Sequence, residues 1–159
     1  MDTLFPGEFI TSQETESILV TPGNFNIGGG FKSSKLKYFA DENYPSQYKF
    51  DGGELIVTMT DLSKETDTLG YAALVPNNNK IFLHNQRVGL VQILNNALDK
   101  MYLYWKMRTR EYQEFIANSA SGTSVMHTSP KKYTITNSHY HKLQNKKPSP
   151  LYCPLLMIK

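Results

Sequence analysis

Three consecutive polar residues, Asn85, Gln86 and Arg87, carry side chains of the types that can recognise nucleic acid. Arginine has a planar fork of N–H donors, and the amides of asparagine and glutamine combine a donor with an acceptor. Such groups can form hydrogen bonds to base edges and to phosphate oxygens. The same residue types also tie a β-turn to its neighbours, so a structural role in a turn is the alternative interpretation.

Lysines form two further clusters, each with serines beside it. The first cluster comprises Lys32, Lys35 and Lys37, and the second comprises Lys131 and Lys132. Ammonium groups next to hydroxyl groups suit contacts to phosphate, whereas a solvated surface is the alternative for the first cluster. Residues 1–31 carry four acids and no base, and residues 115–159 carry six lysines and no acid. This asymmetry favours an anionic partner, although a solvated tail is the simpler account of the last fifteen residues.

Three consecutive glycines, Gly28, Gly29 and Gly30, permit positive φ and a close approach of the backbone to another group. A phosphate cradle is one interpretation, but no Gly-Lys-Ser or Gly-Lys-Thr sequence follows as it does in a Walker loop. A flexible surface loop is the other interpretation.

Patterns typical of catalysis or metal binding are scarce. The four histidines lie on different segments, and although His139 and His141 would share a strand face, the acid-free tail supplies no third ligand nearby. Asp61 has no base or metal-binding set near it in the sequence, and no glycine elbow flanks a serine. We therefore predict no enzymatic activity, no cofactor and no metal site.

The composition is typical of one globular domain. The chain has 159 residues, 40% of them hydrophobic, which is enough for a sizeable core. No apolar run reaches the roughly 18 residues of a membrane span, and the first 20 residues contain no lysine or arginine and so do not form a secretory signal. The single cysteine, Cys153, excludes an internal disulfide framework and indicates a reducing, cytoplasmic setting.

The hydrophobic pattern predicts an α+β fold. Strands are predicted at residues 18–21, 54–62 and 70–75 and from Ile81, with the strand at 54–62 buried on both faces. Together, residues 54–94 are predicted to form a mixed or antiparallel β-meander. Residues 96–118 carry an apolar stripe at helical spacing and predict one amphipathic helix, packed on the sheet through Trp105 and Phe115.

Six segments, in chain order, resemble the target recognition domain of a type I restriction–modification specificity subunit. They are PGNFNIGGGF (22–31), GGELIVTMTDLS (52–63), GYAA (70–73), FLHNQRVG (82–89), the helix with MYLYWKMR (101–108), and SGTSVMHTS (121–129). The resemblance covers about residues 18–135 and departs mildly at Glu54, where an aspartate is usual. We accordingly predict a recognition domain at residues 1–135.

Residues 136–159 depart from the family more strongly. The family domain is followed by a long spacer helix that binds the modification subunits and separates two recognition domains. This segment has no glutamate, no helical stripe and several prolines, so we predict an irregular basic tail without that helix. The chain accordingly resembles half of a specificity subunit, in a single-domain or truncated form.

The resemblance implies a DNA-reading module without catalysis. It would read one half of a bipartite site in double-stranded DNA, while separate modification (methyltransferase) subunits methylate adenine and a motor subunit cuts. The residues that we assign to DNA contact are Lys32, Lys35, Lys37, Asn85, Gln86, Arg87, Lys131 and Lys132. Because the run Asn85–Arg87 lies in a segment that the family shares, a scaffold role is favoured for it, and Arg87→Ala is expected to lower stability. The alternative is a truncated assembly module that pairs with another specificity chain or with a second copy of itself.

The altered tail generates one prediction. Because residues 136–159 lack the apolar stripe of a spacer helix, the chain is expected to dock modification subunits weakly or not at all. Co-purification with an intact modification subunit measures this, and recovery of a stoichiometric complex would contradict it.

Overall fold

The computed structural model contains α-helices, 3₁₀ turns and several β-sheets, and it describes residues 5–61, 68–93, 98–122 and 126–128 together with the backbone of 156–158. The helices are α1 (Lys100–Lys106) and α2 (Arg110–Ser119). The strands are β1 (Ile10–Thr11), β2 (Ser17–Val20), β3 (Lys37–Phe39), β4 (Lys49–Phe50), β5 (Leu55–Thr58), β6 (Thr60–Asp61), β7 (Ala72–Leu74), β8 (Ile81–His84), β9 (Val88–Ile93), β10 (Met126–His127) and β11 (Leu156–Ile158). Single 3₁₀ turns lie at Gly7–Phe9, Pro22–Asn24 and Ser46–Tyr48. Within the described ranges, neither helix is long and apolar enough to cross a membrane.

The strands form a five-stranded sheet, a four-stranded sheet and a two-stranded ribbon. The five-stranded sheet has the order β1-β3-β2-β8-β4, in which β2 and β8 are parallel and the other pairs are antiparallel. The four-stranded sheet has the order β11-β9-β5-β7 and is antiparallel throughout. The ribbon pairs β6 with β10.

The core lies on both faces of β5. Side chains alternate across a strand, so the two faces of β5 contact different neighbours. Ile56 packs with residues of the five-stranded sheet such as Phe82. Leu55 and Val57 pack with residues of the helices such as Leu103. The four-stranded sheet is therefore the middle layer between the five-stranded sheet and the helices.

The α+β class and the predominance of antiparallel pairing are confirmed, as is burial on both faces along Leu55–Thr58, the part of the predicted strand that forms β5. The connectivity differs from a simple meander, because β8 leaves the sheet of β5 and β7 and pairs with β2 and β4 instead. The predicted strand 54–62 is also divided at Met59. Its N–H donates to the carbonyl of Arg87 (2.9 Å) and its carbonyl accepts from Thr128 N–H (3.0 Å), which starts the separate ribbon.

The single helix predicted for 96–118 is two helices. Asp99 caps α1 by accepting from the Tyr102 N–H (2.7 Å), and Thr109 caps α2 by accepting from the Tyr112 N–H (3.4 Å). A second cap in mid-segment interrupts the 3.6-residue period, so one stripe cannot continue across it. The predicted packing through Trp105 and Phe115 is wrong, since these side chains are 59% and 48% exposed.

Three residues of the predicted tail are described. Leu156–Ile158 forms β11, which pairs antiparallel with β9 so that Met157 lies opposite Gln92. The rest of the predicted tail lies outside the described residues.

Replacing Leu103 by alanine is expected to lower the free energy of unfolding by about 2–5 kcal/mol, because Leu103 is fully buried between α1 and the middle sheet. Trp105→Ala, two residues away, is expected to cost about 1 kcal/mol or less, because it removes an exposed ring and its contact with Arg108. Urea denaturation of both variants measures the difference. Equal losses would contradict the observed orientation of α1.

Candidate nucleic-acid interface

Four strands of the five-stranded sheet have their termini in one row. Leu19 of β2 lies opposite Lys37 on one side and Leu83 on the other, and Leu83 lies opposite Lys49. β2 and β8 end just beyond this row, whereas β3 and β4 begin in it. The segments 21–36, 46–48 and 85–87 therefore emerge at the same edge of the sheet. We call this edge, with Lys37 and Lys49, the basic end.

The basic end carries positive charge only. Its charged residues are Lys32, Lys35, Lys37, Lys49 and Arg87, and all five are exposed. Segments 21–37, 46–49 and 85–87 contain no aspartate or glutamate. A concentration of like charge on one surface raises the local concentration of oppositely charged partners. The arrangement therefore suits a polyanion.

The opposite edge of the sheet carries mostly negative charge. Glu14 and Glu16 precede β2, and Asp41 and Glu42 follow β3. The lysine at this edge, Lys80, is bound to Glu14 with an Nζ–Oε1 distance of 3.0 Å, and this partner raises its pKa. The sheet is thus electrically asymmetric from one edge to the other.

Asn85, Gln86 and Arg87 form the turn between β8 and β9. The Asn85 side chain accepts from the Arg87 N–H (3.0 Å), and the Asn85 carbonyl accepts from the Val88 N–H (2.8 Å). Asn85 is therefore a structural turn residue. The side chains of Gln86 and Arg87 are exposed, so the stabilising role predicted for Arg87 falls to its backbone carbonyl, which binds Met59.

His84 lies beneath this turn. Its Nε2–H donates to the Val88 carbonyl (2.5 Å), and its ring packs against Tyr48 and Phe50 with centroid distances of 6.3 and 5.1 Å. Burial lowers the pKa of His84, and the bond to the Val88 carbonyl opposes this only in part. The neutral imidazole therefore supports the basic end as a packing group without adding charge.

The three glycines lie in a short hairpin, residues 24–32, at the same edge. Phe25 and Phe31 form a β-bridge, and Lys32 N–H donates to the Asn24 carbonyl (2.8 Å). All three glycines have φ between 87° and 95°, a region that side chains disfavour. Gly29 packs against the chain itself, because a Cβ on this residue would lie 2.8 Å from Cγ of Arg108.

Arg108, like Lys49, is a residue of this site that the sequence analysis did not single out. Its Nε donates to the Gly28 carbonyl (2.6 Å), and one terminal nitrogen donates to the Tyr104 hydroxyl (2.7 Å). Its guanidinium also lies over the Trp105 ring, 4.8 Å from the centroid. In the sequence, Arg108 follows Trp105 by three residues and Tyr104 by four. On a helix this spacing brings the three side chains together.

The remaining candidates are separate from the basic end or lie outside the described residues. The buried carboxylate of Asp61 accepts from Thr68 N–H (2.5 Å), the Thr68 hydroxyl (2.9 Å) and Leu69 N–H (3.1 Å), which is a structural role in a loop. Lys131 and Lys132 lie outside the described residues. Where side chains are described, no group of three or more histidine, cysteine or acidic residues is placed to hold a metal ion.

The comparisons with known proteins give no relative. No protein-family model matches the sequence, and no curated protein matches it.

The lowered pKa of His84 generates a prediction about stability and pH. The histidine of the unfolded chain takes up a proton near pH 6.5, whereas the folded chain takes it up only at lower pH. The stability contributed by neutral His84 is therefore complete above about pH 6.5 and decreases as the pH falls from there to the lowered pKa. Thermal unfolding measured across this range should show a smaller decrease for His84→Gln. An unchanged pH dependence in that variant would contradict the assignment.

Proposed function

We propose that this chain is a DNA-binding module that contacts double-stranded DNA through the basic end. The observation that carries the proposal is the separation of charge along the five-stranded sheet: five exposed cations lie at one edge, whereas acids, together with Lys80 bound to Glu14, lie at the other. A duplex is a dense polyanion, so it would be attracted to the first edge and repelled by the second. The orientation of the bound duplex would follow from this asymmetry.

Two kinds of contact are assigned within the basic end. Lys32, Lys35 and Lys37 would bind phosphates, with neighbouring serine hydroxyls as neutral donors, and such contacts position a duplex without reading its sequence. Gln86 and Arg87 would read base edges, because their side chains are exposed at the tip of a turn whose backbone is fixed by Asn85. A rigid turn with exposed readers favours specificity over general affinity.

The finer proposal is a specificity module of a type I restriction–modification system. It is supported by the order of the six motifs from residue 22 to residue 129, four of which contribute to the basic end or to the middle sheet. In this proposal the chain reads half of a bipartite site, and it carries out no reaction itself. Methyltransferase subunits of the same system would be its partners, docking weakly without the spacer helix.

An assembly module is the second candidate, and a separate observation favours it. Four large apolar or aromatic side chains of the helices are between 40% and 59% exposed: Met101, Tyr102, Trp105 and Phe115. An exposed apolar surface is typical of a protein-binding site. The salt dependence of DNA binding distinguishes the two candidates, since an assembly module has no reason to release counterions from DNA.

Replacing Lys32, Lys35 and Lys37 together by alanine is expected to weaken binding to all duplexes alike. Each lost phosphate contact should reduce the slope of log K against log salt by about one unit, so the triple variant should lose about three units. Fluorescence anisotropy with labelled duplexes across a salt series measures both the affinity and the slope.

Lys80→Ala provides the matched control for one lysine. It removes the same charge, but from the acidic edge, where Lys80 is paired with Glu14. It should leave the slope unchanged, whereas Lys35→Ala should lower it by about one unit. Equal effects of the two single variants would show that net charge, and not the basic end, governs binding.

Arg87→Ala is expected to change which duplexes are preferred while leaving the melting temperature nearly unchanged, because only an exposed side chain is removed. The lost base contact should reduce discrimination by about 1–3 kcal/mol at one position. Selection from a randomised duplex library, with wild type and variant in parallel, measures the preference. A lowered melting temperature with an unchanged preference would assign Arg87 to the scaffold.

A further inference from the structure

Ile27 is the most exposed large hydrophobic side chain that the structure describes, at 73%. It lies at the tip of the hairpin 24–32, two residues from the bridge formed by Phe25 and Phe31. A single exposed aliphatic residue is common on protein surfaces and means little alone. Ile27 differs from such residues because it lies on an anchored hairpin at the basic end.

The backbone on either side of Ile27 is held in place. Asn26 N–H donates to the Gly30 carbonyl (3.0 Å), and Gly29 N–H donates back to the Asn26 carbonyl (2.8 Å). Gly30 N–H reaches across to the Ala72 carbonyl of β7 (2.8 Å), and Arg108 holds the Gly28 carbonyl. At the base, Phe25 is buried and Phe31 packs edge-on against Phe82. Ile27 is therefore presented to solvent on a firmly anchored tip.

The tip also carries few side chains. The residues after Ile27 are glycines, and a Cβ on Gly28 would have no atom within 4 Å, so open space lies beside it. Gly29 packs against Arg108 on the other side of the loop. Because no side chain follows Ile27 for three residues, Ile27 can be the leading group in a groove such as the minor groove of B-DNA, which is about 6 Å wide.

The surroundings of the tip select an anionic partner. From Ser17 to Ala40 the chain has three lysines and no acid, and Lys32 is part of the base of this hairpin. A duplex offers phosphates to such cations, and a base-pair step that is partly unstacked also offers apolar base faces. An aliphatic side chain beside a basic surface is complementary to both.

We propose that Ile27 acts as a wedge that enters the minor groove of a bound duplex and partly unstacks one base-pair step, with Arg108 as the residue that positions the hairpin. This proposal rests on the proposed function, because it needs the basic end to bind DNA. Apolar wedges of this kind kink a duplex, and the bend brings more phosphate within reach of basic side chains. Flexible pyrimidine–purine steps are the easiest to open, so one of them is the expected point of entry.

The test uses the full chain and duplexes recovered by selection with it, each carrying one 2-aminopurine at a different position. Unstacking raises the fluorescence of that base. Wild type is expected to raise it at one step, and Ile27→Ser is expected to abolish the rise while the salt dependence of binding stays the same. Met101→Ser is the matched control, since it removes another exposed apolar side chain (41%) from α1, and it should leave the rise intact.

Arg108 is tested through the same signal. Arg108→Met keeps the aliphatic contact with Gly29 but removes the donor to the Gly28 carbonyl, so the rise should decrease although Ile27 remains. Arg108→Lys, which keeps a cation and a donor, should restore part of it. Circular dichroism of each variant confirms that it is folded, so that a lost signal is not a lost fold.

The outcomes separate this inference from the function on which it rests. If wild type binds duplexes with the expected salt dependence but the 2-aminopurine fluorescence rises at no position, the wedge is excluded and DNA binding stands. The same conclusion follows if Ile27→Ser raises the fluorescence as much as wild type does. If wild type binds no duplex, both proposals fail.

Discussion

The two-sided burial of β5 is the constraint on which the rest of the structure depends. Ile56 faces the five-stranded sheet and Leu55 and Val57 face the helices, and none of the three is more than 1% exposed. A strand that is apolar on both faces must be covered on both faces. The five-stranded sheet and the helices therefore lie on opposite faces of β5. The position of the basic end follows from how the five-stranded sheet is attached to this middle layer.

The attachment runs through the turn between β8 and β9. β8 belongs to the five-stranded sheet and β9 to the middle sheet, so residues 85–87 carry the chain from one layer to the other. Asn85 closes the turn, and the Arg87 carbonyl receives the Met59 N–H from the end of β5. The exposed side chains of Gln86 and Arg87 are consequently fixed relative to both sheets. A recognition element gains precision when its supporting backbone is held in this way.

The sequence could predict elements but not their partners. The apolar runs at β2, β5, β7 and β8 were located because continuous burial leaves a recognisable pattern. The same uniformity hides which sheet each strand joins, because a run that is apolar on both faces fits either layer, and so β8 was assigned to the wrong neighbours. The helix break at Thr109 was missed for a different reason. A threonine serves equally as a helix residue or as an N-cap, and the bond that its hydroxyl accepts from the Tyr112 N–H identifies the cap only once the structure is known.

The sequence singled out several cations of the basic end, but it could not predict their arrangement or the parts played by Lys49 and Arg108. A net charge of +3 is mild and says little about binding. The concentration of charge arises because β2 and β8 are parallel, which brings the segments that follow them to one edge although about 64 residues separate the strands in the chain. Glu14 and Glu16 precede β2, and Asp41 and Glu42 follow the antiparallel β3, so the same topology sends these acids to the opposite edge. The parallel pairing of β2 with β8 thus gives a chain of mild net charge one basic edge and one acidic edge. Arg108 then connects the hairpin at the basic edge to the helices through its bond to the Gly28 carbonyl.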